Sequence, residues 1–146
     1  MNRRGADRAP MDFEWALRYV MKARELGAER GLHVTVAVHD AAGHPVLVAR
    51  GSEKWHGPYM AMGKARLAAA FGKPTAVLLE NWRDRPLFAS SLNDVLPGGV
   101  TLNPGGYPIA VDGRIVGAIG VGGGTPDEDD MVARLTVEAL ASGDSA

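Results

Sequence analysis

The chain of 146 residues contains no cysteine, which excludes disulfides, thiolate chemistry and any cysteine-ligated metal or haem. No apolar run approaches the roughly 20 residues that a membrane span requires. Neither charge sign dominates. With 16 basic and 17 acidic residues the net charge is -1, so nothing in the charge favours nucleic acid or an anionic membrane, and neither is an expected partner. Zinc-type ligand spacing, a Ser-His-Asp order and a Walker lysine are also missing. The opening MNRRGADRAPM carries Arg3-Arg4 without the apolar stretch of an export signal. Residues 1–11 are therefore expected to form a flexible tail, residues 12–146 a single domain, and the cytoplasm is the expected compartment.

Glycine, by contrast, is plentiful: eight of the nineteen fall between Asn103 and Gly124, among two short apolar runs. Such a segment is either a phosphate cradle or the turns and close approaches of a sheet, and the element order decides between them. Residues 12–30 have apolar positions at helical spacing, with Gly31 to end the helix. HVTVAVHD alternates as a strand, and Asp40-Ala41-Ala42-Gly43 turns it into a second strand, PVLVAR. Pro58 suits the first turn of a helix running to Phe71, and Thr75 can cap another over AVLLENW. A shorter helical piece continues toward Leu92. VTL reads as a third strand, and YPIAV and RIVGAIGV, joined by Asp112-Gly113, read as a hairpin. Thr125-Pro126-Asp127-Glu128 is a capping box that opens a last helix.

The order is thus α-β-β-α-α-β-β-β-α, an α+β fold whose adjacent hairpins require an antiparallel sheet of about five strands. Doubly wound parallel folds are excluded, and with them the strand-crossover unit of a dinucleotide site. The acidic run from Asp127 to Asp130 would also repel phosphate from the last helix.

Two residues offer chemistry. Lys64 lies in line with Met60, Leu67 and Phe71 on one helix face, where an unpaired ammonium is costly. Either its stem packs while its head reaches water, or the amine serves a ligand carboxylate or a proton transfer. His56 precedes the same helix, and a neutral imidazole there could ligate haem iron or act as a base; it could equally be an exposed loop residue. Trp55 and Tyr59 flank it and could wall a flat ligand or form a subunit contact. His33 and His39 share a strand face about 20 Å apart, too far to hold one metal, and read as ordinary sheet residues. Acidic residues are favoured in a first helical turn, which accounts for most of the run from Asp127 to Asp130.

The strings VAVHDAAGHPV, KARLAAAFGKPT and GGYPIAVDGRIVGAIGVGGGTPDEDDMVA, in that order, resemble the GlcG/HbpS family of haem-binding or haem-degrading-like domains, also fused to some corrinoid adenosyltransferases. The likeness spans roughly residues 12 to 141. It implies a profilin-like fold, assembly as a homo-oligomer from dimer to octamer, and haem or a related tetrapyrrole bound in a cleft between sheet and helix. Asp40, Gly43, Lys64, Ala65, Pro74, Thr75, Gly105, Gly106, Pro108, Gly117, Gly120, Val121 and Asp130 match the family's motifs. The chain departs from them at Ala49-Arg50-Gly51-Ser52 and the following EKWHGPYM, and at Leu102-Asn103-Pro104. On this reading His56 is the candidate ligand of the haem iron, with Trp55, Tyr59, Met60, Gly105, Gly106, Tyr107 and Asp130 as candidate ligand-binding residues. The alternative is a small-molecule enzyme of the same fold acting on a small carboxylate or carbonyl compound. There Lys64 and the backbone N–H groups of Gly105, Gly106 and Tyr107 would hold the substrate while His56 moves a proton.

Overall fold

A computed structural model describes residues 11–144, with side chains as far as Ala141. The expected tail, residues 1–10, lies outside the described residues. Met11 does not belong to a tail: it is buried and joins the core.

The elements are α1 (Phe13–Ala28), β1 (Thr35–Asp40), β2 (Pro45–Ala49), α2 (Gly57–Phe71), α3 (Thr75–Asn81), α4 (Pro86–Val95), β3 (Gly106–Val111), β4 (Arg114–Gly122) and α5 (Pro126–Asp144). The strands form one antiparallel sheet in the order β2-β1-β4-β3. Local chemistry sets most of the boundaries. Asp12 caps α1, its Oδ1 accepting from the Trp15 N–H at 2.9 Å. Asp112 and Gly113 both have positive φ, 52° and 79°, as a tight two-residue hairpin turn requires. At the start of α5 the capping box is complete: Thr125 Oγ1 accepts from Glu128 N at 3.2 Å, and Glu128 Oε1 accepts from Thr125 N at 2.9 Å.

Two expectations are corrected. The sheet has four strands rather than five, because residues 100–102 lie beside helices instead of a strand. Val100 N is taken by the Asn93 side chain at 2.9 Å, and Val100 and Leu102 pack on the cluster of Leu67, Leu78, Trp82 and Leu92. The order is therefore α-β-β-α-α-α-β-β-α. Thr75 does not cap α3 either. Pro74 occupies the cap position, and Thr75 Oγ1 accepts from Gly106 N at 2.9 Å and donates to the Asn103 carbonyl at 2.7 Å. That hydroxyl ties α3 to the start of β3.

The sheet's faces are built differently. On one, Val36, Val38, Ile119 and Val121 meet Tyr19, Val20 and Ala23 of α1 and Val132 and Ala133 of α5. On the other, Ala37 and Ala118 meet Ala61, Ala65, Ala68 and Ala69 of α2. Helix and sheet approach so closely there that a Cβ on Gly120 would overlap the Ala61 carbonyl oxygen and lie 2.8 Å from Ala65 N. Glycine at 120 is therefore a requirement of the helix-to-sheet distance.

Candidate functional site

The residues singled out by the sequence form three groups, all toward the end of the sheet where β4 runs into α5. The first is buried. Lys64, on the sheet-facing side of α2, is 3% exposed. Its Nζ donates to the Val121 carbonyl at 2.8 Å and to Asp129 Oδ2 at 3.1 Å. Asp129 completes the connection, its Oδ1 accepting from Gly124 N at 2.8 Å. Three segments are thus joined by one ammonium and one carboxylate. Burial lifts the Asp129 carboxyl above the ordinary carboxylate value, and Lys64 and the Gly124 N–H pull it back down. Gly105 makes room for the amine: its φ is +129°, and a Cβ there would lie 2.8 Å from Lys64 Nζ. Gly106 lies against the Lys64 backbone, and its N–H is spent on Thr75. The head group does not reach water, as a snorkelling lysine's would, and it is engaged by protein groups instead.

The second group is exposed. Gly51 N donates to Thr35 Oγ1 at 2.9 Å, and the space a Cβ on Gly57 would occupy lies 3.3 Å from the same oxygen. Both ends of the loop 51–57 therefore converge on Thr35. That loop presents Trp55 and His56, and Tyr59 follows in the first turn of α2. Trp55 is 71% exposed and Tyr59 67%. The Trp55 ring meets His56 edge-on at 5.8 Å and Tyr59 at 6.3 Å. Met60 is 41% exposed beside them. The His56 side chain is exposed and makes no capping hydrogen bond to α2. His56 and Lys64 do not meet. Eight residues apart on one helix, they are separated by about 12 Å along the axis and about 80° around it.

The third group is on the opposite face. Tyr107 of β3 and Asp130 of α5 lie toward Arg134 and Glu138, and burial raises the Tyr107 hydroxyl's pKa, helped by Glu138 and Asp130. Asp130 Oδ1 is buried without a hydrogen-bond partner, and burial raises its carboxyl against the pull of Arg134. The acid that turns toward the glycine turn is Asp129, its neighbour.

Sequence reasoning passed over two further residues. Asp129 was hidden in an acidic run that the helix dipole explains. His39, taken as an ordinary sheet residue, is fully buried: Nδ1 contacts the Gly43 carbonyl at 2.9 Å and Nε2 has no partner. A carbonyl can only accept, so Nδ1 carries the proton and the bare lone pair is on Nε2. Burial lowers its pKa to about 4. Among the described residues no group of three or more His, Asp or Glu could hold a metal ion.

A cleft between sheet and helix wide enough for a porphyrin is not present on the α2 face, where alanine and glycine bring the two backbones into contact.

A family model for haem-degrading HbpS-like proteins matches residues 11–138. The chain belongs to the HbpS-like family. Among solved structures it is similar to HbpS, with 30% identity over 94% of this chain and 96% of that one and a TM-score of 0.77. It is similar as well to a double mutant of Streptomyces reticuli HbpS, with 29% identity, coverage of 96% and 94%, and a TM-score of 0.77. PduOC, solved as a complex with haem, shares 25% identity over 88% of this chain and 94% of its own, with a TM-score of 0.76. No curated protein gives a significant match. Membership accounts for the antiparallel sheet and its flanking helices. No helix among the described residues is long and apolar enough to cross a membrane.

Proposed function

We propose that this HbpS-like protein binds haem or a related tetrapyrrole on the exposed surface formed by Trp55, His56, Tyr59 and Met60. The observation that carries the reading is His56 itself: an exposed imidazole at the foot of a helix, with no capping hydrogen bond and edge-on to an accessible indole. His56 would hold the iron through a ring nitrogen, and Trp55 and Tyr59 would lie against the macrocycle. Bound haem would supply the redox chemistry of its iron; the chain supplies attachment and orientation. Family membership supports the choice of ligand, and the haem complex of PduOC supports it from a related structure. Lys64, Asp129, Gly105 and Gly106 act behind this surface, fixing the end of the sheet from which the loop 51–57 is hung.

Proton-transfer catalysis by Lys64 and His56 has no observation in its favour, since the amine is engaged by Val121 and Asp129 and the imidazole lies about two helical turns away.

Titration with haemin, followed by the Soret band, tests the proposal. The wild-type chain is expected to shift the band with saturation at one haemin per chain. His56→Ala should change the band position and weaken binding at least tenfold, and Trp55→Ala should weaken it without changing the axial-ligand spectrum. A His56→Ala variant with the wild-type spectrum and affinity would overturn the assignment.

A further inference from the structure

α3, α4 and residues 100–102 line an open groove of about 470 Å³. Trp82, Ala89, Val100 and Leu102 make it apolar, and Arg83 and Asn93 bring polar groups to it. This volume lies inside the range of about 300–1,000 Å³ typical of small-molecule sites. The groove is also fixed in shape. The Trp82 ring is held edge-on by Phe71 at 4.9 Å and by Phe88 at 5.1 Å, and the residue is only 9% exposed, so the indole is a rigid wall.

Arg83 and Asn93 bring positive and donating groups to the groove, while the Ser90 hydroxyl that also lines it spends its proton on the Leu87 carbonyl at 3.2 Å. Asn93 Oδ1 accepts from Val100 N at 2.9 Å, which fixes the orientation of the amide and leaves its NH2 to donate. Arg83 contributes a guanidinium whose ion-pair partner is Glu80, one turn back on the surface. Among the described residues no acidic side chain lines the groove. An apolar slot whose charged lining side chain is a guanidinium, with an amide NH2 beside it, selects a ligand with a flat apolar body and one negative head. We infer that this groove is a second binding site, specific for a small aromatic acid carrying a carboxylate or sulfonate. It shares no residue with the haem surface around His56, so either can fail without the other.

The probe is 1-anilinonaphthalene-8-sulfonate, titrated into the wild-type chain by fluorescence and mapped on its backbone and side-chain amides by NMR. The expected result is saturable binding with shifts concentrated on Leu79 to Leu102, including the Trp82 indole and the Asn93 NH2. Ala89→Trp fills the groove and should weaken binding at least tenfold while the haemin Soret shift is retained. Arg83→Gln, on an exposed side chain, should weaken it about two- to fivefold with an unchanged thermal midpoint. Shifts centred on Trp55 to Met60, or a folded Ala89→Trp variant that binds as wild type, would overturn the site. Equal affinity for an anilinonaphthalene lacking the sulfonate would overturn the ligand class. The NMR map is read on the unmodified protein and does not depend on any variant folding.

Discussion

The two faces of the sheet solve the same packing problem in opposite ways. Toward α1 and α5 the contact is made by Val, Ile and Tyr side chains that interdigitate at an ordinary distance. Toward α2 it is made by alanine and glycine, backbone against backbone, and the same face buries Thr35, His39 and Lys64. Hydrocarbon side chains can shift rotamers to absorb a small change. A backbone carbonyl pressed on a glycine Cα cannot move without moving a whole element. The α2 face should therefore be the intolerant one, and its buried polar groups should make it pH-sensitive.

The sharpest contrast is between neighbouring residues of β4. Gly120→Ala places a methyl on the Ala61 carbonyl and should cost more than about 4 kcal/mol, at the extreme for a single substitution, as read by urea denaturation. A loss near 1 kcal/mol would show that α2 can lift, and the distinction between the faces would fall. Lys64→Met comes next. It strands the Asp129 carboxylate and should cost about 3–5 kcal/mol at neutral pH, with part of the loss recovered when Asp129→Asn is added, because no buried charge is then left alone.

His39 turns the comparison into a pH dependence. Its folded-state pKa of about 4 is below the ordinary 6.5, so between these values the unfolded chain takes up a proton that the folded chain refuses. The contribution is complete above pH 6.5 and falls by about 3 kcal/mol as the pH drops to 4. Arg66 strengthens the effect by opposing a second positive charge, as His44 does when protonated, and Asp40 offsets it. His39→Asn, which keeps a donor toward Gly43, should flatten this part of the stability curve relative to wild type. Equal slopes in the two proteins would remove His39 from the account. The smallest effect belongs to the other face: Ile119→Val, fully buried among hydrocarbons, should cost about 1 kcal/mol.

Much of the fold was legible because its signals are local. Asp112-Gly113, Pro58 and the Thr125–Glu128 box each act on their own backbone, and each occurs in the structure where the sequence puts it. The VTL segment is no strand for the complementary reason: its two β-branched residues favour a strand, and nothing in them says that a partner strand is missing. The candidate site was less legible. Asp129 and Asp130 are adjacent in one helical turn and differ by about 100° in direction, so only the rotation of α5 against the sheet selects Asp129 for Lys64. His33 and His39 share an alternation pattern, yet His33 lies before β1 and is exposed, while His39, inside β1, is sealed.

The sequence by itself determined which stretches become helix, strand and turn, and that glycine would be needed where the chain bends sharply, since those preferences are set by a few neighbouring dihedrals and caps. Only the tertiary structure decided which polar groups lose water and what replaces it. Lys64 finds its carbonyl 57 residues away and its carboxylate 65 residues away. The free energy of an ammonium depends on atoms at that range, and no local pattern encodes which of them will arrive.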